Sequence, residues 1–174
     1  MPERPEPDLD HVRSALRNHD RGAAAEPRMS HGPTAMQDGV TQAALDLDGK
    51  DRFQALRREL GLSAFGLNLL RLRPRQQGRI HRHERQEEVY LVLEGTLTLE
   101  VESEPRELAR GELARVAPGV RRRLSNRGDE PLAVLAIGGA ERHEGRDGTA
   151  FTDWDDEEGA SPQEIPLPED LSAP

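Results

Sequence analysis

The most informative part of the chain runs Gly78-Arg-Ile-His-Arg-His-Glu-Arg-Gln-Glu-Glu-Val-Tyr-Leu-Val-Leu-Glu-Gly95. His81 and His83 are two residues apart, so on an extended strand their imidazoles point to the same side. Glu88 then begins an apolar run that extends to Leu93. Two imidazoles and one carboxylate can form a three-ligand face for a divalent metal, which leaves open positions for a small molecule.

The composition limits the functions that this chain can have. It has 174 residues, which predicts one domain, and a net charge of −9, which disfavours nucleic-acid binding. There are no cysteines, so any metal must be bound by nitrogen and oxygen. No run approaches the roughly 18 apolar residues of a membrane span, and no apolar block follows the acidic start. We therefore expect no membrane partner, no secretory signal and a cytoplasmic location.

Residues 1–47 are predicted to be a weakly ordered N-terminal arm. The segment is rich in Ala, Gly, Pro and polar residues, and low hydrophobicity cannot offset the entropy of ordering a chain. A short helix around 8–19 is compatible with the spacing of its apolar residues. No periodicity brings His11, His19 and His31 together, so we interpret them as scattered, exposed histidines.

Residues 141–174 are predicted to be an acidic, Pro-containing C-terminal tail. From Asp153 onward the tail has eight acidic residues and no basic ones. One interpretation is a solvated, mobile tail. The alternative is that Phe151 and Trp154, the only tryptophan, pin the segment onto the rest of the domain or onto a second subunit.

Residues 48–140 hold the pattern of a folded domain, which begins with a predicted helix over 49–60. Asp48 can cap that helix, and Gly61 suits its end. Its apolar stripe consists of Phe53, Leu56 and Leu60. We expect this helix to pack on the outside of the sheet that follows.

From residue 62 the pattern is that of an all-β protein. An apolar stretch at 62–72 is followed by predicted strands at 88–93, 96–102, 106–108, 113–116, 120–126 and 132–137. Leu97, Leu99 and Val101 alternate with polar residues and should share one face. Many short strands at intervals of 8–12 residues are typical of a sandwich or a barrel.

Two motifs resemble those of the cupin family. His81, His83, Glu88 and Gly95 have the spacing of its first motif, and Gly111, Gly119 and Asn126 have that of its second. The resemblance covers about residues 62–140. It implies a double-stranded β-helix (a jelly-roll barrel), a central metal held by three histidines and one glutamate, and frequent dimers, so we expect a homodimer.

The chain departs from the family pattern at three positions. Arg75 stands where the family has its leading glycine, and Ala117 stands where it has a proline. The third departure concerns the fourth metal ligand, because Arg122 occupies the register position of the last histidine. A guanidinium stays protonated at any relevant pH, so the site gains a permanent positive charge.

Two outcomes are open for this site. In the first, His81, His83 and Glu88 bind a divalent metal (Mn, Fe, Ni or Zn), and Arg122 swings out or pairs with an anion on the metal. Repulsion by its charge would weaken that binding, by roughly 4 kcal/mol at 4 Å. In the second, Arg122 replaces the metal and forms a charged, hydrogen-bonded pair with Glu88.

Other residues of the predicted site follow from strand periodicity. Arg122 should face inward as a receptor for a carboxylate or phosphate, whereas Arg121 and Arg123 should face the opposite side. Tyr90 should line the interior and offer a hydroxyl. Gln86 is predicted to belong to the pocket wall, and Gln86 or Glu87 would substitute as ligand if the turn differed by one residue.

Three functions are compatible with these residues. The first is a metal-dependent enzyme that acts on a small, anionic molecule, in which Arg122, Tyr90 and Gln86 contact the substrate. The second is a metal-free module that binds or senses a small ligand, and the third is a structural, dimerising barrel. The sequence identifies neither the catalytic residues nor the reaction.

Overall fold

A computed structural model of the chain describes residues 34–35, 39–139 and 147–172. All of them lie in one compact unit, His31–Pro174. The predicted helix around 8–19 and the histidines His11, His19 and His31 fall outside the described residues. No described helix has the length and hydrophobicity needed to cross a bilayer.

The described residues form twelve strands and one helix. The strands are β1 (Thr34–Ala35), β2 (Thr41–Gln42), β3 (Phe53–Gln54), β4 (Gly66–Leu72), β5 (Ile80–His83), β6 (Glu87–Glu94), β7 (Thr96–Val101), β8 (Glu104–Ala109), β9 (Leu113–Val116), β10 (Arg122–Ser125), β11 (Leu132–Gly139) and β12 (Gly148–Phe151). The helix α1 spans Leu56–Leu60.

Apart from the short β1–β2 pair, the strands form two five-stranded antiparallel sheets, in the orders β12-β5-β10-β7-β8 and β3-β4-β11-β6-β9. The prediction of an all-β, cupin-like fold is confirmed. The histidines lie on β5 of the first sheet and Glu88 lies on β6 of the second. Any contact between them therefore crosses the interior between the sheets.

The main core fills that interior. Its buried side chains come from both sheets: Leu72, Tyr90, Val92, Leu97, Leu99, Leu108, Val116, Leu124, Leu132, Val134 and Ala136. Leu97 and Leu99 are buried and Val101 packs against the same cluster, as the alternation along β7 predicted. Burial of apolar surface on both inner faces is the main stabilising contribution in such a sandwich.

The turn between β6 and β7 depends on a glycine that the sequence analysis placed in the first motif. Gly95 has a φ of 74°, in the left-handed region that favours glycine. A Cβ at this position would lie 2.6 Å from the carbonyl oxygen of Pro131. Both the backbone conformation and the close approach of a neighbouring chain segment therefore require glycine here.

The prediction of a helix over 49–60 is wrong for the first half of that range. Helix α1 begins after Ala55, so Asp48 does not cap it, and Phe53 and Gln54 pair with Leu70 and Leu69 of β4 instead. Pairing with the edge of the sheet thus overrides local helical periodicity. The end of the helix is as predicted, since Gly61 has a φ of 69° and its backbone N–H bonds to the last turn.

The predicted position of the helix on the outer face of the sheet is confirmed. Leu56 packs with Leu69 and Ala133 in a second, smaller cluster on the side of β4 and β11 that faces away from the main core. Ala43 and Leu47, at the end of the predicted N-terminal arm, pack against the same cluster. This segment therefore contributes apolar contacts to the domain.

The C-terminal segment contains a strand that the sequence did not predict. Strand β12 pairs with β5 along its whole length, and Phe151 is 1% exposed. The guanidinium carbon of Arg121 lies 4.1 Å from the centre of the Phe151 ring, and Arg121 donates a hydrogen bond of 3.0 Å to the carbonyl of Trp154. These contacts show that Phe151 and Trp154 anchor the start of the C-terminal segment to the rest of the domain, so this part is not a solvated tail.

Candidate metal centre

Three potential metal ligands converge between the two sheets. His81, His83 and Glu88 each offer one ligand atom, and these atoms all lie within 4.8 Å of one another. We call these three residues the ligand cluster. Strand periodicity explains the arrangement, since both histidines project from the same face of β5 and Glu88 faces them from β6.

His81 is held as a neutral imidazole with one nitrogen available. Its Nδ1 lies 3.1 Å from the carbonyl oxygen of Arg79, so Nδ1 carries the proton and donates it there. Burial and, secondarily, the positive charge of Arg122 lower the pKa of His81 to about 4, although Glu88 opposes the shift. Nε2 therefore keeps its lone pair, as a metal ligand requires.

His83 lies between two carboxylates. Its Nε2 is 3.4 Å from Oε2 of Glu88, and its Nδ1 is 3.9 Å from Oδ2 of Asp147. The second distance is too long for a hydrogen bond, which leaves Nδ1 as a buried atom without a hydrogen-bond partner. In either neutral tautomer, one nitrogen lone pair faces a carboxylate oxygen. A metal ion between Nε2 and Glu88, or a second proton on the ring, would remove that conflict.

Glu88 is kept ionised by its neighbours. Burial opposes ionisation, but the hydrogen bond from His83 and the charge of Arg122 together hold the pKa of Glu88 well below its usual range. Oε2 accepts a hydrogen bond of 2.5 Å from the hydroxyl of Tyr90 and one of 2.8 Å from Nη2 of Arg122. The predicted register of the first motif is thus the one observed, with Glu88 rather than Glu87 facing the histidines.

Arg122 lies beside the ligand cluster and its side chain is 0% exposed. It pairs in register with His81 of β5, and all three of its side-chain nitrogens donate hydrogen bonds. Their acceptors are the hydroxyl of Tyr90 at 3.2 Å, the carbonyl of Val120 at 3.2 Å and the Glu88 carboxylate. The inward orientation of Arg122 is as predicted, and its guanidinium is committed to groups of the protein.

The other predicted contact residues lie at different places. Tyr90 is buried and lines a cavity beside the ligand cluster. Gln86 is also buried, but it does not line this cavity, and its backbone N–H donates a hydrogen bond of 2.8 Å to Oδ2 of Asp147. Arg121 and Arg123 face outward, as predicted, and Arg123 is paired with Glu100.

The cavity has a volume of about 240 Å³ and extends from the ligand cluster toward solvent; we call it the barrel pocket. Its inner end is polar and contains His81, His83, Glu88 and Tyr90. Much of its wall is apolar and includes Leu70, Leu72, Leu124, Ala136 and Ala150, while Arg52, Asn68 and Arg79 add polar groups. This pocket can take a small organic molecule with one end against the ligand cluster.

Asp147 also belongs to this site, although no sequence pattern predicted it. It lies just before β12, and its carboxylate accepts hydrogen bonds from the backbone N–H groups of Arg85 and Gln86. Burial opposes ionisation here too, but these hydrogen bonds lower the pKa of Asp147. Its position next to Nδ1 of His83 results from the pairing of β12 with β5, which no local sequence pattern predicts.

These residues fit a divalent metal. Bonds of about 2.1 Å to one ion require ligand atoms no more than about 4.2 Å apart. Ligand atoms that lie within 4.8 Å of one another therefore need only a small side-chain adjustment to share an ion. Each ligand also has an outer neighbour: the Arg79 carbonyl for His81, Asp147 for His83, and Tyr90 and Arg122 for Glu88. Such neighbours orient metal ligands in known sites.

Comparisons with known proteins agree with the fold. Residues 68–138 match the family described as "Cupin domain". A cupin protein from Bacteroides fragilis is 24% identical, with 59% of this chain and 86% of that chain covered and a TM-score of 0.53. A protein with a double-stranded β-helix domain from Klebsiella pneumoniae is 16% identical, with 64% and 99% covered and a TM-score of 0.51.

A third similar structure carries a functional description. A sugar phosphate isomerase of the cupin superfamily from Silicibacter pomeroyi is 26% identical, with 67% of this chain and 79% of that chain covered and a TM-score of 0.50. No curated protein sequence matches the chain. The paired sheets, the two motifs and these similarities lead to one conclusion: residues 68–138 of this chain form a cupin domain.

Proposed function

We propose that this protein binds a small organic molecule in the barrel pocket, next to a divalent metal ion held by His81, His83 and Glu88. The observation that carries the proposal is the convergence of these three residues, whose ligand atoms all lie within 4.8 Å of one another. A metal ion bound to Nε2 would leave the proton on Nδ1, facing Asp147. When bound, such an ion would polarise an oxygen atom of the ligand as a Lewis acid.

Other residues of the chain would orient the metal ligands, exclude water and hold a proton near Glu88. Asp147 and the carbonyl of Arg79 would orient the two imidazoles, and the apolar walls would exclude water from the bound molecule. Tyr90 would hold its hydroxyl proton toward Oε2 of Glu88, where it stabilises the carboxylate. Burial, followed by the charge of Glu88, raises the pKa of Tyr90, which keeps this hydroxyl protonated.

A second candidate function is a metal-free pocket that binds or senses a ligand. The ion pair between Arg122 and Glu88 favours it, because the guanidinium already neutralises the carboxylate that a metal would need. A metal would have to share Oε2 with two hydrogen-bond donors or bind the other carboxylate oxygen. The two candidates differ in whether metal is present, which a direct measurement can decide.

The description of the Silicibacter pomeroyi protein suggests a sugar phosphate as one class of ligand. Most of the pocket wall consists of leucine and alanine side chains, which cannot hydrogen-bond to sugar hydroxyl groups, although Arg52, Asn68 and Arg79 also line it. A ligand with an apolar body suits these walls better.

The homodimer expected from the family resemblance stays a prediction, which sedimentation velocity would test.

The test of the metal site is the metal content of protein purified without an affinity tag. Mn, Fe, Ni, Zn and Cu would be quantified by plasma mass spectrometry, and we expect about one ion per chain. His83→Ala and Glu88→Ala should each abolish the bound metal. Glu87→Ala is the matched control, because Glu87 precedes Glu88 on the same strand but is exposed and paired with Arg115.

The outcome separates the two candidate functions. Metal in the wild type and in Glu87→Ala, but not in the cluster variants, supports the metal site. Wild-type protein without any of the five metals, even after incubation with each and gel filtration, would contradict it and favour the metal-free pocket. Circular dichroism of each variant would establish that loss of metal is not loss of fold.

A further inference from the structure

The barrel pocket contains two arginines that the sequence analysis did not single out. Arg52, just before β3, and Arg79, just before β5, both line it. Arg122, which was predicted to receive an anionic ligand, does not line the described pocket, and its nitrogens are bonded to protein groups. The cationic groups that a molecule in this pocket would meet are therefore Arg52 and Arg79.

Arg52 has unused hydrogen-bonding capacity. Its Nη1 is buried and has no hydrogen-bond partner. Burial, and then the charges of Arg79 and Arg73, lower the pKa of Arg52, while Asp170 acts in the opposite direction. The charge of Asp170 acts on the pKa of Arg52, but the two residues form no ion pair in the described part of the chain. A buried donor of this kind is costly unless a ligand or water satisfies it.

Arg79 is fixed in place and also has unused donors. Its Nε donates a hydrogen bond of 2.5 Å to the carbonyl of Ile165 in the C-terminal segment. Among the described residues, its Nη groups have no acceptor. Two arginines that line one pocket and have unused N–H groups can form a receptor for a carboxylate, which arginine binds in a planar, charge-assisted geometry.

The other residues that line the pocket indicate that its ligand has an apolar body. Phe53, next to Arg52, is 57% exposed, and Leu167, of the C-terminal segment, is 50% exposed. Both line the pocket, so its outer part is apolar as well. Leu70, Leu124 and Ala136 continue the apolar wall inward. A molecule of about ten non-hydrogen atoms has a volume comparable to the 240 Å³ of this cavity.

We propose that the ligand is a small organic acid, whose apolar body fills the barrel pocket and whose carboxylate is bound by Arg52 and Arg79. This inference rests on the proposed small-molecule function of the pocket, but not on the presence of a metal. It differs from the predicted role of Arg122, because it places the anionic group away from the ligand cluster.

The test uses the full-length protein and three probe molecules, hexanoate, hexanol and acetate. Hexanoate has both the apolar body and the carboxylate, whereas hexanol lacks the charge and acetate lacks the body. Dissociation constants would be measured by titration, with chemical shifts as the readout. We expect hexanoate to bind about tenfold more tightly than hexanol, as a charge-assisted hydrogen bond implies, and acetate to bind most weakly.

Arg52→Gln and Arg79→Gln should each remove most of the preference for hexanoate and leave the affinity for hexanol unchanged. Arg106→Gln and Arg110→Gln are matched controls, because both arginines are exposed, lie outside the pocket and have the same charge. Hexanol binding in the variants also reports that the pocket is still formed. This matters for Arg79, which holds the C-terminal segment.

Each result has a defined meaning. If His83→Ala removes the preference for hexanoate and Arg52→Gln does not, the carboxylate binds at the ligand cluster and our inference is wrong, although the proposed metal site stands. If acetate binds as tightly as hexanoate, the apolar body contributes nothing, which also overturns the inference; the larger basic cavity near Lys50 and Arg73, which Arg52 lines as well, is then the alternative site. Absence of binding by hexanoate and hexanol would overturn both this inference and the proposed pocket.

Discussion

Nη2 of Arg122 lies 2.8 Å from Oε2 of Glu88, and this ion pair joins the two sheets of the domain across their interior. Arg122 belongs to β10 and Glu88 to β6. The Arg122 side chain is 0% exposed and that of Glu88 is 14% exposed, so water stabilises these two charges little. Each charge depends instead on the other and on the hydroxyl of Tyr90. Its removal should therefore have consequences for both stability and metal binding, which can be measured separately.

Arg122→Ala should strongly destabilise the protein. The change removes the guanidinium and leaves the carboxylate of Glu88 buried without its cation, which typically costs about 3–5 kcal/mol. Urea unfolding would measure the free energy of unfolding. Arg115→Ala is the control, because it breaks the exposed pair with Glu87 and should cost less than about 1 kcal/mol. Similar losses in the two variants would contradict a special role for the buried pair.

Arg122→His should increase the affinity for a divalent metal. The substitution removes a permanent positive charge and places a fourth potential ligand at the family position, and we expect a gain of at least about tenfold. Competition with a chelating dye would measure the dissociation constant. Arg122→Met removes the charge without adding a ligand, so it shows how much of the gain comes from relief of repulsion. If neither variant binds metal more tightly, Arg122 does not oppose the ion.

Phe151→Ala should show that the C-terminal segment is part of the folded domain. Phe151 is 1% exposed between Arg121 and the paired strands, and truncation of a buried phenylalanine costs about 3–5 kcal/mol. Phe65→Ala is the matched control at a residue that is 38% exposed, where the loss should be much smaller. Thermal unfolding followed by the fluorescence of Trp154 would report both. Equal, small effects would mean that the segment is dispensable.

Most of the barrel could be predicted from the sequence, because its strands alternate clearly and its turns contain glycine. The predicted strand at 113–116 matches β9, and the predicted strands at 88–93 and 132–137 differ from β6 and β11 only at their ends. The ligand cluster could also be predicted, since the spacing of His81, His83 and Glu88 is a local property of two consecutive strands.

The parts that the sequence did not predict depend on contacts between distant segments. Strand β12 has little β-pattern of its own, and it forms because β5 has a free edge for it. Asp147 reaches His83 for the same reason. Phe53 follows a helical spacing but joins the edge of β4, where backbone pairing is more favourable. Arg52 and Arg79 are far apart along the chain, so only the folded structure brings them to one pocket.

The last prediction concerns Asn126, the final residue of the second cupin motif. Its side-chain amide donates hydrogen bonds of 2.9 Å to the carbonyl of Leu72 and 2.8 Å to that of Glu130, and its Oδ1 accepts one of 3.0 Å from the backbone N–H of Gly128. The side chain is buried, so it ties the turn after β10 to the end of β4.

Asn126→Ala should lower the free energy of unfolding by about 2–3 kcal/mol, because it leaves buried carbonyl groups without their donor. Asn126→Asp has the same shape but replaces the donating amide by an acceptor. We expect it to be at least as destabilising at neutral pH, since its carboxylate would face the carbonyls of Leu72 and Glu130. Urea unfolding of both variants measures the effect. If Asn126→Asp were as stable as the wild type, the amide would not be the group that holds this turn.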